Sequence, residues 1–183
     1  MQLYYATHDG HARRIAERIA CRLAEKGIPA SPLDLAARLP AAEDLAAARL
    51  ATVVSAVRYG RHLPETRRFL SIYQTLAAPP PLAFLSVCLA ARKPGRDTAE
   101  GNPYLRKAIA RHRLAPVLAL AVAGRLDYPR YGWLDRQMIR FIMTLTGGPT
   151  DPDASIEYTA WNVVDDFARR IAELVDRAET LRS

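Results

Sequence analysis

The sequence predicts an α/β protein built on an open parallel sheet of five strands, with helices covering both faces. Three observations carry this expectation. Short apolar runs alternate with stretches of helical periodicity, and parallel strands need crossover helices that bury both faces of their sheet. The first and last helical stretches each have one apolar stripe, as a helix lying on a sheet requires. A small polar turn joins the first strand to the first helix, at the end of the sheet where α/β proteins hold ligands.

In chain order, residues 2–6 read as a strand and Thr7 to His11 as the turn after it. Residues 11–26 read as a helix, with Ile15, Ala16, Ile19 and Leu23 on one side, Arg13, Arg14, Glu17, Arg18 and Arg22 elsewhere, and Gly27 as its stop. Strands follow at 30–35 and 50–57, then a helix at 64–77 that Pro79, Pro80 and Pro81 end before a strand at 82–88. A helix at 98–113 and a strand at 116–123 complete the sheet. The last helix, 159–178, carries Val164, Phe167, Ala168, Ile171, Leu174 and Val175 as its stripe. With 183 residues, half of them apolar, the chain suits one domain spanning residues 1–183.

The segment 124–157 is too long for an ordinary strand-to-helix connection, and inserts of that length are usually functional or disordered. Its composition speaks against disorder. Tyr128, Tyr131 and Trp133 precede a helical pattern in which Leu134, Met138, Phe141, Ile142 and Leu145 share a face, widened by Ile139 and Met143, with Arg136, Arg140 and Thr144 opposite. Gly147, Gly148 and Pro149 then stop it. The stripe either packs onto the domain itself or lies on a membrane surface. The five-stranded unit is complete without it, and Arg125, Arg130, Arg136 and Arg140 form an anionic-lipid footprint, so the surface role is favoured.

Lys and Arg outnumber Asp and Glu by 26 to 19, a formal charge of +7 that attracts phosphate-rich surfaces. The sequence has no nucleic-acid recognition motif, and no nucleic-acid partner is expected. Cys21 and Cys88 are far apart with no C-x-x-C spacing, so neither a metal site nor a disulfide framework is indicated, and a reducing cytoplasmic compartment is expected. The N-terminus lacks a basic region followed by an apolar core, and no apolar run is long enough to span a bilayer, so neither secretion nor membrane integration is expected.

The turn after the first strand has neither a Walker lysine nor a G-x-G-x-x-G pattern. Open N–H groups at a helix start and the helix dipole suit a phosphate monoester, so Thr7, His8, Asp9, Gly10, His11 and Ala12 are candidates for holding the phosphate of FMN. A phosphate turn after strand one of an open sheet suggests the flavodoxin-like strand order 2-1-3-4-5, with ligand beyond the carboxyl ends of strands one, three and four. The loops there offer Val57, Arg58, Tyr59 and Gly60 on one side and Val87, Cys88, Leu89, Ala90, Arg92 and Lys93 on the other. Tyr59 can present a ring face and Gly60 a close backbone approach, while Arg58, Arg92 and Lys93 bring positive charge to a flavin edge or an anionic substrate. No Ser-His-Asp, Cys-His or paired-carboxylate spacing is evident, so no catalytic acid or base is named.

Taken together, T-H-D-G near the start, A-V-R-Y-G-R-H after the third strand, S-V-C-L-A-A-R-K-P after the fourth, L-D-Y-P-R-Y-G-W-L-D-R-Q-M-I-R-F-I-M in the insert and G-G-P-T-D beyond it resemble the menaquinone-dependent, flavodoxin-like protoporphyrinogen oxidases of bacterial haem synthesis. The resemblance covers nearly the whole chain. It implies an FMN enzyme, peripheral on the inner face of the cytoplasmic membrane, that oxidises protoporphyrinogen IX and passes electrons to menaquinone or ubiquinone. An apolar macrocycle with two propionates needs a greasy wall and a few cations, for which Arg58, Arg92, Lys93, Arg130, Tyr131 and Trp133 are candidates. Two departures stand out. Ala6 and Ala12 occupy places where hydroxyls hold the phosphate, leaving Thr7 with at most His8, His11 or Arg13 in support, and Cys88 stands where a polar, Asn-like residue is expected. Alternatives are a flavodoxin-type electron carrier without porphyrinogen oxidase activity and a membrane-associated module, or last a nucleic-acid-binding one, that has lost FMN. Assembly into a homo-oligomer stays open.

Overall fold

The computed structural model describes residues 1–127, 132, 133, 137, 144, 151 and 155–180. Its main sheet joins β1 (Gln2–Ala6), β2 (Pro32–Asp34), β3 (Ala51–Arg58), β5 (Leu82–Val87) and β6 (Leu118–Val122) in the order β2-β1-β3-β5-β6, and the short β4 (Arg61–His62) hangs on β3. The five strands of that order pair in parallel through four ladders, and in this sheet only β4 runs antiparallel. Counting the parallel strands alone, the order is the flavodoxin-like 2-1-3-4-5 that the sequence predicts.

Side chains alternate across this sheet, which sorts the core into two layers. Leu3 and Tyr5 of β1 join Val54, Leu85 and Val122 on the face covered by α1 (His11–Ala24) and α5 (Trp161–Thr180). Tyr4 and Ala6 join Val53 and Phe84 on the other face, beneath α2 (Ala42–Ala46), α3 (Pro64–Thr75) and α4 (Pro103–Arg111). The last helix has its expected stripe: Val164, Phe167, Ala168 and Ile171 are fully buried. Each large side chain among them contributes roughly 1.5–3 kcal/mol. β5 is buried along its whole length because it is covered on both faces and paired on both edges.

The helix expected at 98–113 starts later. Asn102 caps it, its Oδ1 accepting from the Tyr104 and Leu105 N–H groups at 3.1 Å each, and Pro103 follows as its first residue. The preceding residues lie against β6: Thr98 bridges Leu120, and the Ala121 N–H donates to the Asp97 carbonyl at 2.7 Å.

The insert also differs from a plain loop. β7 (Arg125–Asp127) and β8 (Ser155–Glu157) pair antiparallel, Leu126 opposite Ile156, so its two ends are stitched together with Leu126 wholly buried. Trp133, Gln137 and Thr144 are helical and exposed, as the expected polar face opposite the apolar stripe requires of Thr144. Tyr128, Arg130, Tyr131, Arg136, Arg140 and the apolar stripe from Leu134 to Leu145 lie outside the described residues. Among the described residues no helix is long and apolar enough to cross a membrane.

Candidate functional site

Parallel pairing brings three chain segments to one end of the sheet: Ala6 lies beside Ser55, and Ala56 beside Val87. Beyond β1 the chain turns through Thr7, His8 and Asp9 to Gly10, which caps α1 at φ +81°, a left-handed conformation that glycine adopts without strain. The first backbone bond of α1 runs from the Arg14 N–H to the Gly10 carbonyl at 3.2 Å, so the N–H groups of His11, Ala12 and Arg13 remain for a ligand. Acidic residues are absent from this first helical turn. Two buried polar atoms here have no hydrogen-bond partner among the described residues: Thr7 Oγ1 and His11 Nδ1. An unsatisfied buried group costs about 1–3 kcal/mol, and phosphate oxygens would satisfy the Thr7 hydroxyl and the helix N–H groups together. The turn therefore fits the phosphate of FMN.

His11 is the side chain that ties this turn to the rest of the site. Its Nε2 lies 2.7 Å from Thr159 Oγ1, which donates to the Ala123 carbonyl at 3.0 Å, and its ring meets Trp161 edge-on at 6.1 Å between centroids. Gly124 leaves room for it: a Cβ there would press on Val87 and touch the His11 Cδ2 edge. Burial lowers the His11 pKa below its ordinary value; Glu157 opposes this, and Arg14 and Arg125 reinforce it. By contrast His8 and Asp9 are exposed and face each other at 3.8 Å, Arg13 is exposed and paired with Glu17 at 2.8 Å, and the Ala12 methyl is buried.

The segment after the third parallel strand is not a loop. β3 continues through Val57 and Arg58, turns at Tyr59 and Gly60, and returns as β4, with Arg58 opposite Arg61. Tyr59 at φ +50° and Gly60 at φ +72° make the two-residue turn of a tight hairpin, in which both central residues are left-handed. For a tyrosine that conformation costs roughly 1–2 kcal/mol. Tyr59 projects from the tip, 58% exposed, with the Arg58 guanidinium 5.0 Å from its ring. A Cβ on Gly60 would contact Tyr104 of α4. Beneath the hairpin His62 is buried against Phe84, with Nε2 2.9 Å from Ser86 Oγ. Burial, helped by His112, pushes its pKa down to about 4, so it is neutral.

After β5 the chain enters a short 3-10 helix, Leu89–Arg92. Cys88 is buried, with Asn102 Nδ2 donating to its Sγ at 3.2 Å, and burial pushes its thiol pKa up. It is thus a small, protonated, hydrogen-bonded group at a strand end. Arg92 donates to the Leu89 carbonyl at 3.2 Å and lies over the Tyr158 ring at 5.9 Å, while Lys93 is exposed. Of the predicted residues, Thr7 to Ala12, Val57 to Gly60 and Val87 to Lys93 therefore share one end of the sheet. Trp133 is exposed, and Arg130 and Tyr131 lie outside the described residues. Sequence reasoning missed Asn102, Tyr104, Gly124, Tyr158, Thr159 and Trp161. The Y-T-A-W run before the last helix was the available signal, yet nothing in its spacing says that it meets His11.

A family model for the flavodoxin domain matches residues 2–153. The chain is 37% identical over 177 residues to protoporphyrinogen IX dehydrogenase [quinone] of Escherichia coli K12, covering 96% of both chains. The chain belongs to the protoporphyrinogen IX dehydrogenase family. A second member of that family, from Leishmania major, is 35% identical over 94% of this chain and 74% of its own length. Solved structures agree on the fold. Oxidised flavodoxin 1 of Bacillus cereus superposes with a TM-score of 0.53 at 16% identity, covering 96% of each chain. Rubredoxin oxygen:oxidoreductase of Desulfovibrio gigas gives 0.58 at 12% identity, over 97% of this chain and 36% of that one.

Proposed function

We infer that this protein is an FMN-dependent dehydrogenase that oxidises protoporphyrinogen IX to protoporphyrin IX and delivers the electrons to a quinone. The observation that carries this reading is the 37% identity, over 96% of both chains, to a protein of that name, joined to a turn whose orphaned Thr7 hydroxyl and open helix N–H groups suit a flavin phosphate. When bound, FMN supplies a two-electron acceptor, and the protein supplies binding, orientation and charge. Thr7 and the α1 N-terminus hold the phosphate. Tyr59, Gly60 and the 3-10 segment after Cys88 flank the ring system, and the left-handed hairpin turn keeps the Tyr59 ring projecting rather than folded onto the sheet. Arg58, Arg92 and Lys93 offer cations to the flavin edge or the substrate propionates, and Arg130, Tyr131 and Trp133 offer the apolar, basic wall for the macrocycle.

The enzyme works at the inner face of the cytoplasmic membrane, where a lipid-soluble quinone is reached. The +7 charge, the exposed Trp133 and the arginines of the insert support this placement. The test is anaerobic. Protein reconstituted with FMN is mixed with protoporphyrinogen IX and a soluble quinone, and porphyrin fluorescence is followed against enzyme-free and quinone-free controls. Fluorescence that grows only with enzyme and quinone together is expected. A flavin-bound protein that produces no porphyrin would be an electron carrier instead. In the active enzyme, the Arg92→Ala, Lys93→Ala double variant should raise KM more than it lowers kcat, since uniform binding contacts act on KM.

A further inference from the structure

The phosphate turn lacks a hydroxyl at Ala12, and the ring of His11 is tied into its wall through Thr159. The proton assignment of that ring follows from its neighbours. A carbonyl only accepts, so the single Thr159 hydroxyl proton goes to Ala123, and His11 Nε2 must donate to Thr159 Oγ1. In the neutral imidazole the proton on Nε2 leaves Nδ1 as a bare lone pair. This atom is buried and has no partner among the described residues. The Cδ2 edge of the ring faces Gly124, Nδ1 lies across the ring from that edge, and His11 is itself the first residue of α1. A lone pair repels a phosphate dianion, whereas a protonated nitrogen gives it a charge-assisted hydrogen bond.

We propose that His11 takes up a proton when the FMN phosphate settles on the α1 N-terminus, and that its Nδ1–H serves as the donor that Ala12 cannot provide. The inference rests on the FMN reading above. The charged groups facing the ring frame the balance. Glu157, held by Trp161 Nε1 at 2.7 Å and Arg14 at 3.4 Å, favours the imidazolium, while Arg14 itself and Arg125 of β7 oppose it. Ligand-free, the burial of the ring keeps it neutral; the phosphate dianion supplies the missing counter-charge. Neither His8, exposed beside Asp9, nor Arg13, turned to Glu17, is placed by such contacts.

The test titrates the flavin-free full chain with FMN and with riboflavin, which lacks the phosphate, and reads flavin fluorescence quenching. Between about pH 7 and pH 9 the phosphate is a dianion, so a change there reports the protein. The FMN-to-riboflavin affinity ratio should fall by about tenfold or more as pH rises across that range, one proton being linked to binding. Calorimetry in buffers of different ionisation heat should show uptake of close to one proton with FMN and none with riboflavin. His11→Gln should keep a preference for FMN but flatten its pH dependence, and His8→Gln should retain the slope. A strong FMN preference that is flat with pH and takes up no proton would overturn the proposal and leave the cofactor reading intact. A slope that persists in His11→Gln would also overturn it. Equal affinity for both flavins, or binding of neither, would overturn the cofactor reading itself. Should His11→Gln fail to fold, the wild-type ratio and proton count decide the matter.

Discussion

Asn102 ties several parts of the site together. Its Oδ1 caps α4 while its Nδ2 donates to the Cys88 sulfur and to the Arg96 carbonyl at 2.9 Å, so one buried amide ties the end of β5, the strap beside β6 and the helix carrying Tyr104. Removing it takes the partner from one buried and one half-buried cap N–H group and from the half-buried Arg96 carbonyl. Asn102→Ala is expected to cost about 2–3 kcal/mol in urea unfolding, the sum of a lost cap and buried groups left unpaired. Asn102→Asp keeps the cap acceptor but loses both donors, so it should fall between wild type and alanine. A change below about 0.5 kcal/mol in the alanine variant would show that water replaces the amide fully. Cys88 depends on the same contact: buried, protonated and accepting from Asn102, it behaves as packing with one polar tie rather than as a reactive thiol.

At the scale of elements, the β7–β8 ribbon decides how an insert of this length coexists with a compact sheet. Three paired residues on each side and the burial of Leu126 anchor it independently of what lies between. Asp127 stands directly opposite Ser155, so an Asn-Gly turn in place of residues 128–154 would close the ribbon as a tight hairpin. This deletion variant should bind FMN with affinity within a few-fold of wild type while losing co-sedimentation with anionic vesicles. If it still pellets with them, the insert is not the vesicle-binding element. The opposite junction is polar: Asp165 of α5 takes a forked pair of bonds from Arg18 at 2.7 Å and is also reached by Arg22 at 3.1 Å. Those arginines hold the Asp165 carboxyl pKa well down, at about 2, and lock the two helices over the face that bears His11.

Over the whole molecule, the buried histidines set the response to acid. His62 titrates near 4 in the folded protein against about 6.5 in the unfolded chain, so the unfolded state takes up its proton first. The stability that His62 contributes is therefore fully present above about pH 6.5, falls as pH drops towards about 4, and levels off below it, where the loss of the Asp165 contribution takes over. The His62 contribution to that loss is about 3 kcal/mol. His112 and His11 are lowered as well and act in the same direction. Urea midpoints at pH 7 and pH 4.5 measure the loss, and His62→Gln should shrink it. Equal midpoints at the two pH values would contradict a neutral, buried His62. Because His62 forms the return strand of the Tyr59–Gly60 hairpin, acid should loosen the hairpin tip before the rest of the sheet.

The sequence by itself determined the sheet, the strand order and both main helix faces, because alternation and helical periodicity are local signals that packing then obeyed in Leu3, Tyr4, Ile15 and Phe167. It also singled out all three segments that meet at the ligand end, since strand ends are where an open sheet collects polar turns. Only the tertiary structure decided that residues 57–62 form a hairpin with a left-handed tyrosine, that the α4 cap is also the partner of Cys88, and that the insert is closed by a ribbon. The pairing of His11 with Thr159, 148 positions away, likewise has no sequence signature. The physical reason is the same in each case. These contacts join residues distant along the chain or depend on a turn's φ angles, and their energy comes from burial and unsatisfied polar atoms that exist only once the layers have closed.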